Sequence, residues 1–280
     1  MRDFSLWNGK TSPSLVTSTE SSLPRVKRRP ERVSMNEMRL IVDPPARGTW
    51  NMAVDEAILR GAVDLGMPTL RFYSWSEPTL SLGYFQKVGD RQRHKASLDC
   101  VCVRRASGGG AIMHDRELTY SFVAPVRDSR SEETTRWFDL FHETLIDVLA
   151  KWGINAHLSG KPQAKTTVEP FLCFQRRHEV DVIVDDNKIC GSAQRRHQVA
   201  VLQHGSVIVQ QSPCAPELLG LEEITGQKIS VEMLSDQWQA CLKSTFQRSY
   251  TQLPLTDKEI ESAQLIESAK FAHPDWTHKR

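Results

Sequence analysis

Five short runs of strand-forming residues follow one another between residues 69 and 124, and this succession constrains the fold more than any other feature. The runs cover 69–75, 79–84, 100–105, 111–114 and 118–124, are rich in aromatic or β-branched residues, and are separated by Pro, Gly or charged turns. Strand following strand without an intervening helix favours antiparallel pairing. The segment therefore predicts a sheet in which antiparallel neighbours dominate.

Helical patterns and further strands accompany this segment. A first helix is predicted to begin with Asn51 as its N-cap and to stop at Gly66, and a longer one to span residues 132–152. Residues 180–209 predict a hairpin and another strand, and the chain from about residue 212 onward is predicted to be helical. The expected fold class is α+β, with helices packed on a mostly antiparallel or mixed sheet.

Residues 1–34 differ in composition from the rest of the chain. They hold ten Ser or Thr residues, and seven Lys or Arg residues against three acids, which gives a charge of +4. With few regularly spaced apolar residues, such a segment cannot offset its ordering entropy, so we expect a disordered, basic, Ser/Thr-rich leader. An organelle transit peptide is the alternative. Residues 35–280 are expected to form a single domain with a helical C-terminal part.

The overall composition excludes several classes of protein. A net charge of +2 gives no global attraction to nucleic acid or to acidic membranes. The sequence lacks both a run of about 18 apolar residues and the apolar core of a signal peptide, so we expect a cytoplasmic protein, or a mitochondrial-matrix one if residues 1–34 are a transit peptide. Six cysteines are too sparse for a disulfide scaffold, and no C-x-x-C or H-E-x-x-H motif indicates a zinc site. We expect reduced thiols and no metal.

A glycine-rich segment between two predicted strands is the first candidate for a ligand site. It reads Arg-Arg-Ala-Ser-Gly-Gly-Gly-Ala over residues 104–111. Three consecutive glycines weaken a strand, so they indicate a tight turn or a place where a ligand approaches the backbone. The spacing matches neither the P-loop nor the dinucleotide-binding fingerprint. Arg105, Ser107 and His114 supply polar groups around it.

A lysine and a cysteine stand in two further segments of interest. Lys188 leads into the small residues Gly191, Ser192 and Ala193, although a strand lysine is usually solvated. Cys173 follows Pro170 and precedes two arginines, which places it on a loop or at a strand end. Nearby positive charge there would favour the thiolate that nucleophilic chemistry requires. Most cysteines are nevertheless inert core residues.

Taken together, these segments resemble the family of lipoate-protein ligases and octanoyltransferases, whose catalytic domain is related to that of biotin protein ligases. The resemblance covers roughly residues 38–209. Its motifs are the stretches 51–57 (NMAVDEA), 70–75 (LRFYSW), 81–86 (SLGYFQ), 104–115 (RRASGGGAIMHD), 118–121 (LTYS) and 191–196 (GSAQRR).

The resemblance implies a set of site residues, assigned by matching positions. Cys173 stands where octanoyltransferases of the LipM type carry their nucleophile, and Lys188 matches the lysine that contacts the acyl carbonyl. The substrate-binding candidates are Arg105, Ser107, Gly108, Gly109, Gly110, His114, Gly191, Ser192, Ala193, His204 and Gly205. No metal ligand is implied.

The resemblance also implies an activity. A LipM-type enzyme would take an octanoyl group from acyl carrier protein as a cysteine thioester and pass it to a lysine of a lipoyl domain or of glycine-cleavage H protein, with no cofactor. About 70 residues follow position 209, which is short for the additional domain common in ligases. The predicted partners are therefore acyl carrier protein and a lipoyl-domain or H-protein acceptor, with no nucleic acid and no membrane.

Two departures from the LipM pattern keep alternatives open. Ala106-Ser107 replaces the Pro-Thr of many LipM-type sequences, and Gly110 replaces Arg, so the segment is closer to the ligase form. An ATP-dependent lipoate-protein ligase, which would use ATP and Mg, is the first alternative. An amidotransferase moving octanoate between protein lysines is the second, and a module that binds acylated partners without turnover is the third.

Overall fold

The computed structural model describes residues 37–160 and 169–280. The leader expected over residues 1–34 lies outside these residues. In the described part of the chain, no helix is both long enough and apolar enough to span a membrane.

Strands and helices are numbered in chain order. The strands are β1 (Glu37–Val42), β2 (Thr69–Tyr73), β3 (Thr79–Leu82), β4 (Val101–Arg104), β5 (Ile112–His114), β6 (Glu117–Pro125), β7 (Ala156–Leu158), β8 (Val182–Val184), β9 (Asn187–His197), β10 (Ala200–Ile208) and β11 (Ser249–Gln252). The α-helices are α1 (Gly48–Leu65), α2 (Glu132–Lys151), α3 (Leu221–Thr225), α4 (Val231–Phe246), α5 (Asp257–Ile266) and α6 (Pro274–Thr277).

Two sheets organise the described residues. The larger one has the strand order β11-β1-β2-β6-β10-β9-β8-β7, and the smaller one has the order β4-β3-β5. Pairing is parallel where β1 meets β11 and β2 and where β3 meets β4, and antiparallel at every other junction. The predicted α+β class with a mostly antiparallel or mixed sheet is therefore confirmed.

Helices cover both faces of the large sheet. On one face, α2 and α4 bury Phe141 and Trp238 against Phe72 and Tyr120 of the central strands. On the other face, α1 and α5 pack against alternate residues of the same strands, such as Tyr73. Alternation along a strand sends successive side chains to opposite faces, and every residue of β2 is buried, so both faces need a helix layer.

The start of α1 differs from the prediction. The helix begins at Gly48, one turn before Asn51, so Asn51 is not its N-cap. Asn51 is buried, and its side-chain amide donates to the carbonyl oxygens of Ala46 and Ser74 at 3.2 and 3.0 Å. Asparagine is a favoured N-cap residue, but here its side chain instead donates hydrogen bonds to buried carbonyl groups of neighbouring loops. The predicted stop at Gly66, which has a φ of +72°, is confirmed.

The C-terminal part is mainly helical, as predicted, but it also contains a strand. β11 adds to the edge of the large sheet by parallel pairing of Ser249–Gln252 with β1. Four mainly polar residues show no periodicity that distinguishes a strand from a loop. Their pairing depends on a partner more than 200 positions earlier in the chain, which a local pattern does not reveal.

Candidate active site

A cavity of about 320 Å³ opens between the small sheet and the middle of the large one, and we call it the central cavity. This volume lies at the lower end of the range for small-molecule sites. Aromatic side chains, small residues and a few polar groups line it. They include Met52, Tyr73, Trp75, Arg105, Gly108, Gly109, Ile112, His114, Cys173, Phe174, Gly191, Ser192, Ala193, His204 and Gly205.

Cys173 begins a single 3-10 turn and lies in the wall of this cavity. Its backbone N–H donates to the carbonyl oxygen of Ala111 at 2.7 Å, and the N–H of Ala111 donates to Phe171 at 3.0 Å. These two bonds fasten the cysteine turn to the end of the glycine-rich segment. The thiol is partly exposed, so a substrate that enters the cavity can reach it.

Lys188 and Asp181 form a buried ion pair beside the Cys173 sulfur. Lys188 Nζ lies 2.7 Å from Asp181 Oδ2 and 3.9 Å from Cys173 Sγ, and both paired side chains are at most 5% exposed. Burial lowers the pKa of Lys188, but the negative charges of Cys173 and Asp181 outweigh burial and raise the pKa above its usual value. Lys188 therefore presents a fixed positive charge to the sulfur.

Gly191 provides the space for this lysine. An added Cβ at Gly191 would lie 2.6 Å from Lys188 Cε and 2.8 Å from Lys188 Nζ. Only a residue without a side chain lets the lysine cross the strand surface toward Cys173. The glycine at position 191 is thus explained by the packing of Lys188.

Arg105 fixes the glycine-rich segment by hydrogen bonds to its backbone. Its guanidinium donates to the carbonyl oxygens of Gly108 and Gly110, both at 2.7 Å, and to that of Ser81 at 3.0 Å. Burial lowers the pKa of Arg105 to about 10, although the nearby Cys173 charge raises it. A group with that pKa stays cationic at neutral pH, so Arg105 keeps the loop fixed and adds positive potential near Cys173.

His204 and Ser107 form a second polar pair in the cavity wall. Ser107 Oγ lies 2.5 Å from His204 Nε2, and His204 Nδ1 lies 3.9 Å from Asp55 Oδ2. Burial lowers the pKa of His204 to about 4; Asp55 raises it, and Arg105 and a neighbouring histidine lower it. The imidazole is therefore neutral at neutral pH.

This neutral imidazole predicts a pH dependence of stability. The unfolded chain binds a proton at His204 below about pH 6.5, whereas the folded chain does so only near pH 4, so stability rises with pH between these values. Between pH 7 and pH 4.5 the wild type should lose about 2 kcal/mol more unfolding free energy than His204→Gln. Denaturant unfolding at both pH values measures this difference. An equal loss in the two proteins would contradict the assignment of a neutral buried imidazole.

His114 closes the wall on the side of the small sheet. Its ring stacks on Trp75 with centroids 3.8 Å apart, while its Nδ1 lies 2.6 Å from Glu117 Oε1 and its Nε2 lies 2.8 Å from Ser81 Oγ. Both ring nitrogens are occupied within the protein. His114 therefore contributes a rigid flat surface to the cavity and leaves no free nitrogen for a ligand.

The opposite wall is fixed by polar contacts of Ser192. Its Oγ lies 2.7 Å from the hydroxyl of Tyr120 and 2.6 Å from Nε2 of His142, and both partners are buried. Burial is also the largest influence on His142 and lowers its pKa, so the ring is neutral at neutral pH. Bonds from two sides hold the Gly-Ser-Ala stretch at a set distance from Cys173.

No metal centre accompanies these groups in the described part of the chain: residues 37–160 and 169–280 hold no cluster of three or more His, Cys, Asp or Glu side chains that could bind an ion. All six cysteines lie within these residues, and each is a free thiol.

The family model "Lipoyl protein ligase A/B catalytic domain" matches residues 47–240. The chain belongs to this family. The resemblance drawn from the sequence motifs is thereby confirmed. The matched range contains Cys173, Lys188 and the glycine-rich segment, so the central cavity lies within the family's catalytic domain.

Curated members of the family are similar over most of their length. The octanoyltransferases LipM of Kyrpidia tusciae and of Clostridioides difficile are 29% and 31% identical to this chain, and each comparison covers 88% of this chain and 100% of the relative. The octanoyltransferase LipM of Macrococcus caseolyticus is 33% identical over 78% of this chain and 79% of its own length.

Solved structures share the fold at lower identity. A lipoate-protein ligase A bound with ATP superimposes with a TM-score of 0.68 at 22% identity, covering 86% of this chain and 98% of that one. A chain of an archaeal lipoylation system from Thermoplasma acidophilum, a bipartite lipoate protein ligase with its E2 lipoyl domain, gives a TM-score of 0.67 at 21% identity, covering 86% and 96%. At these identities the likeness concerns the fold alone.

The structure brings all the residues singled out in the sequence to this one cavity of the family fold. Most of them line it directly. Of the other three, Ser107 forms a hydrogen bond with His204, and Gly110 packs on the backbone of Cys173. Lys188 lies 3.9 Å from the Cys173 sulfur.

Sequence reasoning missed Asp181, His142 and Tyr120. Asp181 had a usable signal: Ile183 pairs with Lys188 across the β8–β9 hairpin, so an acid two positions before Ile183 shares its face. His142 had none, because it resembles an ordinary core position of a helix. Tyr120 stands in the LTYS motif of residues 118–121, but that motif did not indicate a role for its hydroxyl.

Proposed function

We propose that this chain is a cysteine acyltransferase that takes an octanoyl group from acyl carrier protein as a Cys173 thioester and passes it to a protein lysine. The acceptor is a lysine of a lipoyl domain or of glycine-cleavage H protein. The observation that carries the proposal is a partly exposed cysteine in the cavity wall with a buried lysine 3.9 Å from its sulfur. Relatives named octanoyltransferases, similar along most of the chain, support the choice of acyl group.

In the first step the Cys173 thiolate attacks the carbonyl carbon of the carrier thioester. The new bond is Cys173 Sγ to carbon, and the bond that breaks is carbon to the carrier sulfur. The carrier leaves as a thiolate, which takes up the proton that the Cys173 thiol lost on ionising. The charge of Lys188 stabilises the attacking thiolate and the oxyanion that develops in the transition state. One cation thus serves both species, because both form within reach of Nζ.

In the second step the amine of the acceptor lysine attacks the Cys173 thioester. A carbon–nitrogen bond forms, the bond to Cys173 Sγ breaks, and the amine releases a proton. Acylation of Cys173 removes the thiolate charge, which is one of the charges that raise the pKa of Lys188. The acylated enzyme therefore holds Lys188 less firmly protonated at the stage when a proton has to leave the amine.

The donor already carries an activated acyl group, so this route needs neither a nucleotide nor a metal. A second cavity of about 540 Å³, which we call the polar cavity, adjoins the central one and shares Phe174 with it. Lys188 lines this polar cavity, and Cys173, the residue before Phe174, lines the central one. One catalytic domain over residues 35–280, located in the cytoplasm, completes the proposal.

An ATP-dependent lipoate ligase is the competing activity, because its name and fold recur among the structural neighbours. The described lining of the polar cavity fits a triphosphate poorly. Its two cations, Arg177 and Lys188, already face carboxylates at 3.8 and 2.7 Å, and Glu217 adds a further negative charge. Like charges facing a polyanion disfavour its binding. We therefore derive no step through ATP.

Nucleotide dependence tests the proposal. The chain is incubated with octanoyl acyl carrier protein and a lipoyl domain without nucleotide, and separately with free lipoate, ATP and Mg²⁺. We expect octanoylation of the acceptor lysine in the first mixture and, with the same lipoyl domain present, no lipoylation in the second. Modification only with free lipoate and ATP, undiminished in Cys173→Ala, would overturn the proposal in favour of a ligase. Octanoyl transfer only from one lipoyl domain to another would make the chain an amidotransferase.

Gly110→Ala should slow the first step. The added Cβ would lie 2.9 Å from Cys173 N and 3.0 Å from both Cys173 Cα and Arg176 Nε, so the cysteine backbone must move. Because reaction rates depend steeply on the placement of the nucleophile, we expect acylation of Cys173 to slow at least about tenfold. Gly61→Ala in α1 is the matched control, since its added Cβ meets nothing within 4 Å. Unchanged acylation in Gly110→Ala would mean that this backbone contact does not position the sulfur.

A further inference from the structure

The central cavity has two ends. Toward one end it shares Phe174 with the polar cavity, next to Cys173 and Lys188. Toward the other it shares Met52 and His204 with a third cavity of about 160 Å³, which we call the distal cavity. Neither Met52 nor His204 lines the polar cavity. Cys173 lines only the central cavity, but its neighbour Phe174 lines the polar one, as does Lys188, whose Nζ lies 3.9 Å from the sulfur. The three cavities therefore lie in a row, with the sulfur at the polar end.

Met52 and the Ser107–His204 hydrogen bond separate the central cavity from the distal one. Met52 projects from α1 and is 5% exposed. The Ser107 hydroxyl and the His204 ring fill the remaining gap, with Ser107 Oγ 2.5 Å from His204 Nε2. Asp55 lies on the other side of the ring, 3.9 Å from Nδ1. We call these three side chains the partition. An acyl chain attached to Cys173 and lying along the central cavity meets the partition with its methyl end.

The distal cavity has a mixed lining, in which charged groups accompany the apolar side chains of Leu59, Leu202 and Phe271. Glu56 in its lining pairs with both Arg60 and Lys270, and Arg195 and His197 add further polar surface. Methylene groups that entered it would desolvate these charges without replacing their partners. The partition thus coincides with a change from a largely apolar lining to one that mixes apolar and charged groups.

We propose that Met52, with the Ser107–His204 pair behind it, sets the length of the acyl chain that the central cavity accepts. The inference rests on the proposed acyltransferase function and deepens it. Each methylene group buried in the cavity raises the affinity for the acyl chain about fourfold. A methylene that the cavity cannot hold adds no affinity, so the length of the cavity sets the preferred chain length. Met52 determines where that limit falls, because it is the flexible apolar member of the partition.

The test measures the rate of Cys173 acylation from hexanoyl, octanoyl, decanoyl and dodecanoyl acyl carrier protein. Met52→Ala vacates space for about two methylenes, so the decanoyl-to-octanoyl rate ratio should rise about tenfold over wild type. Met52→Phe should shift the preference toward hexanoyl. Met67→Ala is the matched control: Met67 is also buried but lines none of the three cavities, and its ratio should stay at the wild-type value. A general loss of stability slows all donors alike and cancels in the ratio.

A decanoyl-to-octanoyl ratio within twofold of wild type in Met52→Ala, with no shift in Met52→Phe, would overturn the partition as the determinant of length. Failure of the underlying function has a different signature: the wild type is then acylated by none of the four donors. In that case, calorimetry measures the affinities of wild type and Met52→Ala for the free C6 to C12 fatty acids. The partition then predicts that Met52→Ala raises the C10-to-C8 affinity ratio about tenfold, and an unchanged ratio contradicts it.

Discussion

Cys173→Ala should abolish octanoyl transfer from acyl carrier protein to a lipoyl domain, lowering kcat/KM at least about 10⁴-fold. The loss is this large because the variant removes the atom that forms the covalent intermediate, whereas the cavity that binds the acyl chain is kept. The rate is measured by mass spectrometry of the acceptor lysine under single-turnover conditions.

Cys241→Ala is the matched control, because Cys241 is also a partly buried free thiol but lies in α4, outside the central cavity. Its transfer rate should equal that of the wild type. A Cys173→Ala rate within tenfold of the wild type would show that no thioester on this residue lies on the reaction path.

Lys188→Met should slow acylation of Cys173 by about 10² to 10³-fold, the usual cost of losing one preorganised group at a developing oxyanion. Met approximates the length of the lysine stem without its charge. The same change leaves Asp181 buried without its partner, which costs about 3–5 kcal/mol of stability. Stopped-flow release of the carrier thiol measures the rate, and denaturant unfolding measures the stability.

The two effects of Lys188 are separated by the double variant Lys188→Met/Asp181→Asn. Removal of both charges relieves the unpaired carboxylate, so stability should largely return toward wild type while acylation remains slow. Recovery of the rate together with the stability would show that Lys188 acts only by holding the fold around Cys173.

The sheet and the site segments could be predicted because their signals are local. Alternating apolar residues define β2 and β6, and Gly66 ends α1 through its positive φ. The glycine-rich segment stood out because three consecutive glycines weaken a strand. They indicate a tight turn or a place where another group lies close to the backbone. The structure gives that approach, with Gly110 packed on the backbone of Cys173.

Other features depend on residues that meet only after folding. Ser107 and His204 are 97 positions apart, and no local pattern indicates that they share a hydrogen bond or that Met52 lies beside them. Asn51 carried a real N-cap signal, which its buried contacts with two loop carbonyls override. Which side chains close the far end of the central cavity is likewise a property of three-dimensional packing, which no local sequence pattern reveals.

The most direct test of the account is the mass of the protein itself. Wild-type protein mixed with octanoyl acyl carrier protein, without nucleotide and without acceptor, is analysed intact and after digestion. We expect a gain of one octanoyl group on the peptide that carries Cys173, removed by neutral hydroxylamine and discharged when a lipoyl domain is added. An unmodified Cys173 in protein that nevertheless modifies the acceptor would contradict the account.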